Sequence, residues 1–282
     1  MKKISYQQIV EKISLLAIEA TTCLPDDVLN AMKRAKDKEE NKLAQSVLDQ
    51  CLKNYNIAAT EHLPICQDTG TALYFVEIGD QVQIDGGLLN DAINEGTAKG
   101  YTDGYLRKSI VSDPLFSRLN SNDNTPAVIH TEVVKGDSLK ITIAPKGGGS
   151  ENMSALAMLK PSDGEDGVVD FVVDSVVNAK GNPCPPTIVG VGIGGTFEKC
   201  AFIAKKALLR ENVGTPNSDS RYAELEQKIL KRINSSGVGP QGLGGSTTAL
   251  AVHIEFFPCH IASLPVAVNL NCHAARHKTI TL

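Results

Sequence analysis

The spacing of apolar residues changes after residue 62, and this change constrains the fold more than any other feature. Before it, apolar side chains such as Ile9, Ile13 and Leu16 recur at three- and four-residue steps, the spacing of one helix face. After it, short apolar runs such as TALYFVEIG and TTALAVHIEFF alternate with helix-like segments. The pattern predicts an α/β chain with mixed sheets, surrounding helices and an N-terminal helical segment.

Individual elements follow from the same patterns. We expect three helices in the first sixty residues, and further helices over GGLLNDAINEGTAKGYTDG, VVDFVVDSVVNAKG, FEKCAFIAKKALLR and YAELEQKILKRINSSG. Strands are predicted at TALYFVEIG and on both sides of the turn at residues 135–137; PPTIVGVGIGG is a buried strand or loop, and TTALAVHIEFF and IASLPVAVNLNC are the last strands. No linker, repeat or low-complexity segment divides the chain, so we expect a single domain over residues 1–282.

Composition and charge exclude several classes of partner. The 282 residues carry a formal net charge of −4, so no global basic field attracts nucleic acid or an anionic membrane. Polar residues at positions 7, 8, 11 and 12 interrupt the first apolar stretch, which therefore does not read as a secretory signal. No segment approaches the roughly 18–20 apolar residues that a transmembrane helix needs. We expect a cytoplasmic protein.

Seven cysteines are present, an odd number with wide gaps, which favours buried thiols or metal ligands over disulfides. Three of them lie in loops beside polar groups: Cys66 in ICQDTGT, Cys184 in NPCPPTIVG and Cys272 at the end of IASLPVAVNLNC. Three thiolates could hold zinc with an open fourth position. They could equally hold an iron–sulfur cluster with one unligated iron. Their spacing does not choose between these two sites.

Four segments are rich in glycine and polar residues: 65–71, 145–154, 182–199 and 238–248. The third contains Gly190-x-Gly192-x-Gly194-Gly195 between a strand and a helix, which suggests a dinucleotide site. However, the spacing is not G-x-G-x-x-G, and no acidic residue ends a next strand about 20 positions further on. We therefore favour a helix N-terminus that binds a carboxylate or supports a cluster.

Five segments together resemble one family: ICQDTGTALYFVEIG, PKGGGSENMS, NPCPPTIVGVGIGGTFEKC, GPQGLGGSTTAL and HIASLPVAVNLNC. In this order they resemble the class I (iron–sulfur) fumarate hydratases and the related L(+)-tartrate dehydratases, over nearly the whole chain. The resemblance implies the alpha subunit of an oxygen-sensitive hydro-lyase that interconverts fumarate and L-malate, a reaction of the tricarboxylic acid cycle. Dehydration of L(+)-tartrate to oxaloacetate is the alternative reaction. The implied partner is a beta subunit, in an alpha2–beta2 heterotetramer. The alpha subunit alone is expected to be inactive.

The resemblance also implies a cofactor and a set of site residues. The cofactor is a [4Fe–4S] cluster held by Cys66, Cys184 and Cys272, whose open iron binds the substrate. Hydration next to a carboxylate needs a Lewis acid and a base for a carbon-bound proton. The implied catalytic residues are Asp68 and His260, and the implied substrate-binding residues are Gln67, Arg107, Gly148 and Gly149. The proton-abstracting base could instead lie on the beta subunit, and a non-catalytic subunit with structural cysteines is the alternative of a different class.

Overall fold

A computed structural model describes all residues from Met1 to Leu282. The helices are α1 (Tyr6–Thr22), α2 (Asp26–Lys38), α3 (Lys42–Glu61), α4 (Leu89–Asp103), α5 (Gly148–Glu151), α6 (Gly164–Ala179), α7 (Phe197–Ala207) and α8 (Ser220–Asn234). The strands are β1 (Lys2–Ser5), β2 (Thr71–Gly79), β3 (Val82–Asp85), β4 (Val128–Val134), β5 (Leu139–Lys146), β6 (Ala155–Leu159), β7 (Thr187–Gly194), β8 (Ala249–Phe257), β9 (Leu264–Asn271) and β10 (Lys278–Thr281). None of the helices combines the length and the apolar character that are needed to span a bilayer.

The chain divides into two compact units. Unit 1 comprises residues Met1–Pro25, Tyr55–Gly148 and Arg276–Leu282, and unit 2 comprises Asp26–Asn54 and Gly149–Ala275. The expectation of a single domain over residues 1–282 stays a prediction.

Unit 1 contains a four-stranded sheet in the order β10-β5-β2-β4 and a two-stranded parallel pair, β1 and β3. The Ser5 hydroxyl accepts a hydrogen bond from the amide of Gln8, which caps the start of α1. The predicted face of α1 is buried against the sheet, where Ile9 and Ile13 share a core with Tyr74 and Ile141. This core fixes the strand that follows residues 66–70.

The two strands around the turn at residues 135–137 do not pair with each other. Strand β2 lies between them, parallel to β4 and antiparallel to β5. Because β5 runs antiparallel to β2, the last residues of β5 lie beside the first residues of β2, and Lys146 is paired with Thr71. This pairing places the segment after β5 next to the loop before β2.

Unit 2 contains a four-stranded sheet in the order β6-β9-β7-β8, and all eight residues of β7 are buried. The glycines of β7 allow α7 to approach the sheet closely. A Cβ atom on Gly190 would lie 2.2 Å from the Ala204 carbonyl oxygen, and one on Gly192 would lie 2.2 Å from that of Cys200. These two glycines therefore serve helix–sheet packing, which accounts for the glycine pattern without a nucleotide.

The predicted fold class is confirmed, and the long elements agree with their predictions. Four short strands, β1, β3, β6 and β10, were not predicted. The expectation that TTALAVHIEFF and IASLPVAVNLNC are the last strands is wrong, because β10 follows them and pairs antiparallel with β5. One helical turn, α5, lies within the glycine-rich segment 145–154.

Candidate functional site

Residues 66–70 form the loop that precedes β2 in unit 1, and they include three of the predicted site residues. Cys66 and Asp68 are half-buried, whereas Gln67 is exposed. The Cys66 thiol donates a hydrogen bond to the side-chain oxygen of Gln67, with 3.1 Å between Sγ and Oε1. The loop thus presents a thiol, an amide and a carboxyl group at consecutive positions.

Two backbone amides hold the carboxyl group of Asp68. The Gly70 amide donates to Oδ1 at 2.9 Å, and the Gly148 amide donates to Oδ2 at 2.7 Å. Gly148 reaches this position because the pairing of β5 with β2 ends at Lys146, two residues before it. The structure therefore brings together Asp68 and Gly148, two residues that the sequence assigned to one site, and it fixes both oxygens through the main chain.

Three buried side chains hold the main chain of the same loop. The hydroxyl of the fully buried Tyr101 lies 3.1 Å from the Thr69 carbonyl oxygen and 3.0 Å from that of Gly70. The Asn124 amide group donates to the Gly70 carbonyl at 3.1 Å. The Arg276 guanidinium donates from Nη2 to the Asp68 carbonyl at 3.0 Å. The loop is therefore held through its side chains and through its backbone.

The Tyr101 hydroxyl remains a hydrogen-bond donor. Burial is the main reason that the pKa of Tyr101 lies above its ordinary value, and the charge of Asp68 raises this pKa further. The charge of Arg276 and a hydrogen bond with Asn124 act in the opposite direction without reversing the shift. Tyr101 therefore stays protonated at neutral pH and donates to the loop carbonyls.

Arg107 contacts this loop only through its main chain. The Thr69 hydroxyl donates to the Arg107 carbonyl at 3.1 Å, while the Arg107 side chain is exposed. A guanidinium group anchored at its backbone and open to solvent is suited to binding a carboxylate. The structure thus places the predicted substrate-binding arginine beside Thr69.

Two of the predicted cluster ligands lie at one end of the unit 2 sheet. Cys184 precedes β7, and Cys272 directly follows β9, which runs antiparallel to β7 with Ile188 opposite Asn271. The amide of His273 donates to the Cys184 carbonyl at 3.0 Å, which joins the two segments. Strand pairing therefore brings Cys184 and Cys272 together from positions that are far apart in the sequence.

A third thiol of unit 2 lies within electrostatic range of this pair. Burial raises the pKa of Cys51 to about 11, and the charges of Cys184 and Cys272 contribute to the increase. Gly149 lies near the same loop, since a Cβ atom on it would be 3.1 Å from the carbonyl oxygen of Asn182. The sequence motifs give no indication that Cys51 lies in this neighbourhood.

His260 lies at the other end of the unit 2 sheet. It follows β8, whose last residue, Phe257, is opposite Gly194 at the far end of β7 from Cys184. The eight residues of β7 span roughly 23 Å at about 3.3 Å per residue. Within unit 2, the structure does not bring His260 to Cys184 and Cys272. Its imidazole is exposed and accepts a hydrogen bond from the Ala262 amide at 3.1 Å.

The glycine-rich segment 238–248 is held by a buried carboxylate that the sequence did not single out. Oε2 of Glu39 accepts hydrogen bonds from the amide and hydroxyl of Thr247 at 2.8 and 2.7 Å and from the Ser246 amide at 3.0 Å. Burial raises the pKa of Glu39, but hydrogen bonds from Thr247, Asn41 and Ser246 outweigh it, and the pKa lies below 4.5. Glu39 is therefore ionised and fixes this loop of unit 2.

The cysteines are the residues that could hold the predicted cluster. Thiolates are the ligands that iron–sulfur clusters use, and none of the seven cysteines forms a disulfide. No group of three or more His, Cys, Asp or Glu side chains is arranged to hold a metal ion. Unit 2 nevertheless brings two predicted ligands, Cys184 and Cys272, to one sheet end, while Cys66 belongs to unit 1. These residues fit the chemistry of the cluster, and the meeting of all three sulfurs stays a prediction.

Sequence comparisons agree with the motifs. A family model described as "Fumarate hydratase (Fumerase)" matches residues 10–281. A Methanocaldococcus jannaschii protein named "Putative L(+)-tartrate dehydratase subunit alpha" is 42% identical over 262 residues, covering 92% of each chain. An Escherichia coli L(+)-tartrate dehydratase subunit alpha is 34% identical over 291 residues, covering 99% of this chain and 94% of its own. A Shigella sonnei protein of the same name is 33% identical over the same coverage.

These matches extend over nearly the whole chain and define its class, a hydro-lyase. The chain belongs to the fumarate hydratase (fumerase) family. The resemblance inferred from the five sequence segments is therefore confirmed.

Proposed function

We propose that this chain is the alpha subunit of an oxygen-sensitive [4Fe–4S] hydro-lyase that interconverts fumarate and L-malate. The observation that carries the proposal is the loop 66–70. It places a carboxyl group, fixed by two backbone amides, two residues after a thiol. Membership of the fumarate hydratase family supports the same reaction class.

In this proposal, Cys66, Cys184 and Cys272 hold the cluster. When bound, the cluster supplies a Lewis acid that polarises the hydroxyl group that is added or removed. The proposal requires that Cys66 of unit 1 and the cysteine pair of unit 2 share one cofactor. The pairing of β7 with β9 supports half of this requirement, because it brings Cys184 and Cys272 together.

The chain's own residues supply the binding and proton-transfer groups. Each Asp68 oxygen accepts one amide hydrogen bond and keeps a further lone pair, so Oδ1 or Oδ2 can take a proton from the diacid or its hydroxyl. Arg107 and the Gly149 amide bind carboxylate oxygens, whereas the Gly148 amide, which the sequence also assigns to substrate binding, holds Asp68. Gln67 orients the substrate beside Cys66. Fixing Asp68 through the main chain aligns it before the substrate arrives.

His260 belongs to unit 2, where it follows β8. Unit 2 places it at the sheet end opposite Cys184 and Cys272. We propose a catalytic role for His260, as the sequence predicts, and this role requires that His260 lies near the reacting groups in the assembled enzyme.

The proposal includes a beta subunit. The relatives are named "subunit alpha", and the chain covers 92% and 94% of two of them. We propose that a beta subunit supplies the remaining substrate contacts in an alpha2–beta2 heterotetramer, and that the alpha subunit alone is inactive. With a net charge of −4, the chain gives no reason to expect a nucleic-acid or membrane partner, and we place it in the cytoplasm.

L(+)-tartrate is the second candidate substrate, and the names of the relatives favour it. L-Malate and L(+)-tartrate are both four-carbon diacids with a hydroxyl group next to a carboxylate, and they differ by one further hydroxyl. The residues of this chain bind features that both substrates share.

The test is an assay of the anaerobically reconstituted alpha–beta enzyme on fumarate, L-malate and L(+)-tartrate. We expect turnover of fumarate and L-malate with a higher kcat/KM than for L(+)-tartrate, and loss of activity in air together with the iron–sulfur absorbance. A preference for L(+)-tartrate would replace the substrate assignment. No turnover of any diacid by cluster-loaded enzyme, or turnover by the alpha subunit alone, would contradict the proposal. An air-stable cluster without activity would indicate a non-catalytic metal-binding subunit.

A further inference from the structure

Arg276 is a buried cation without a carboxylate partner. Only 3% of its surface is exposed, and its single hydrogen bond runs from Nη2 to the Asp68 carbonyl at 3.0 Å. The other two guanidinium nitrogens, Nε and Nη1, are buried and have no hydrogen-bond partner. A buried charge without compensation is unfavourable, so this arrangement indicates that a negatively charged group completes it.

The carboxylate nearest in the loop does not provide this charge. The two carboxylate oxygens of Asp68 accept hydrogen bonds from the backbone amides of Gly70 and Gly148. Arg276 instead donates a hydrogen bond to the main-chain carbonyl of Asp68. The charge of Arg276 lowers the pKa of the buried Tyr101 hydroxyl, and the charge of Asp68 raises it. The cation and the carboxyl group therefore flank the same loop without neutralising each other by direct contact.

We propose that Arg276 binds a carboxylate of the diacid through its unpaired guanidinium N–H groups, as a further anion-binding residue of this site. The inference rests on the proposed function, because it assigns the loop 66–70 to a diacid site. A carboxylate oxygen is a strong acceptor for guanidinium N–H groups in a buried setting. The bond to the Asp68 carbonyl orients the guanidinium, and its Nε and Nη1 donors have no partner in the protein.

The experiment measures the binding of succinate, a four-carbon diacid that can neither gain nor lose water. Its dissociation constant is measured with anaerobic, cluster-loaded alpha–beta enzyme that carries Arg276→Gln or Arg276→Lys. We expect Arg276→Gln to weaken succinate binding about 10- to 100-fold, as the loss of charge-assisted hydrogen bonds predicts. Arg276→Lys keeps the charge without the guanidinium geometry, so we expect a smaller loss of about 3- to 10-fold.

Arg118→Gln is the matched control, because Arg118 is an exposed arginine of unit 1 that bonds only the local Pro114 carbonyl. Melting temperature and iron content are recorded for every variant. Succinate binding within twofold of the unaltered enzyme in either Arg276 variant would overturn the proposal, including when the melting temperature falls. If Arg276→Gln does not fold, the Arg276→Lys result decides.

The same data separate this inference from the proposed function. If the unaltered enzyme binds succinate but turns over no diacid, the proposed reaction fails while the role of Arg276 is still measured. If the enzyme turns over fumarate and Arg276 variants keep their succinate affinity, the reaction stands and this inference fails.

Discussion

Two loops of this molecule place a cysteine next to a polar or ionisable residue at the edge of a strand, and they differ in how they are held. Loop 66–70 of unit 1 is fixed by amides from two segments and by three buried side chains. Loop 258–263 of unit 2 is exposed, and the hydrogen bonds of Cys259 and His260 join only residues within the loop. A cysteine next to a polar residue in the sequence is therefore a weaker sign of a functional site than a loop that is held by hydrogen bonds from distant elements.

Asp68→Asn tests the supported loop where the expected effect is largest. An asparagine side chain has one oxygen acceptor, so it can satisfy only one of the amides of Gly70 and Gly148. It also removes the carboxylate to which we assign the proton transfer. We expect kcat of the alpha–beta enzyme to fall by about 10²- to 10⁴-fold.

Steady-state kinetics with parallel iron analysis measures this effect. Asp137→Asn, at an exposed turn position of the same unit, is the control and should leave kcat unchanged. A kcat of Asp68→Asn within threefold of the unaltered enzyme, at equal iron content, would remove Asp68 from the chemistry.

Glu39→Gln extends the comparison to segment 238–248, a loop of unit 2 that is also held by a buried group. The substitution replaces the charged acceptor of Ser246 and Thr247, and we expect unfolding free energy to fall by about 2–3 kcal/mol at neutral pH. Because the pKa of Glu39 is lowered in the folded state, its stabilisation is present above pH 4.5 and is lost as the pH falls through the folded-state value.

Denaturant unfolding of Glu39→Gln and the unaltered chain across pH 3–7 measures this difference, with Glu40→Gln, an exposed neighbour, as the control. The two stabilities should converge as the pH falls. A constant difference across the range would show that the charge of Glu39 is not the source of the stabilisation.

Tyr101→Phe removes one of the supports of loop 66–70 while keeping the ring in the core. The variant leaves the Thr69 and Gly70 carbonyls without the buried hydroxyl, and we expect a loss of about 1–2 kcal/mol in unfolding free energy. Tyr105→Phe is the control, because Tyr105 is 94% exposed. Equal stabilities for the two variants would mean that the Tyr101 hydroxyl does not support the loop.

His260→Ala tests the exposed loop 258–263, which no other element holds through Cys259 or His260, and it should have the smallest effect. We expect the free energy of unfolding to change by less than about 0.5 kcal/mol, as for other exposed positions. We expect the iron content to be unchanged, and the loss in kcat to be smaller than in Asp68→Asn. A loss of kcat as large as that of Asp68→Asn would show that the exposed loop around His260 is as important for turnover as loop 66–70.

The sequence predicted the long elements because their apolar periodicity is strong, as in α1 and β2. It did not predict β1, β3, β6 and β10, because four- or five-residue strands carry too little pattern to be recognised. The position of β2 between β4 and β5 was not predictable from the short turn between those two strands, since pairing depends on the whole sheet.

The residues of the candidate site also fall into those that the sequence predicts and those that only the structure reveals. Loop residues such as Asp68 were found from the motif that contains Cys66. Tyr101 and Asn124 support the loop from distant positions, and nothing local distinguishes them from other core residues. Arg276 lies four residues after Cys272, and this short distance in the sequence is the local signal that could have identified it. Side chains that support a loop from other elements are thus visible only once strand pairing is known.

The most direct test of the central claim is the iron and sulfide content of anaerobically purified alpha–beta enzyme in which one cysteine at a time is replaced by serine. The account predicts about four iron and four sulfide per alpha chain in the unaltered enzyme, as a [4Fe–4S] cluster requires, and loss of most of both in Cys66→Ser, Cys184→Ser and Cys272→Ser. Cys259→Ser, at an exposed thiol of loop 258–263, should keep both. Full iron and sulfide in Cys66→Ser would contradict the account, because the cluster would then not depend on the thiol of unit 1.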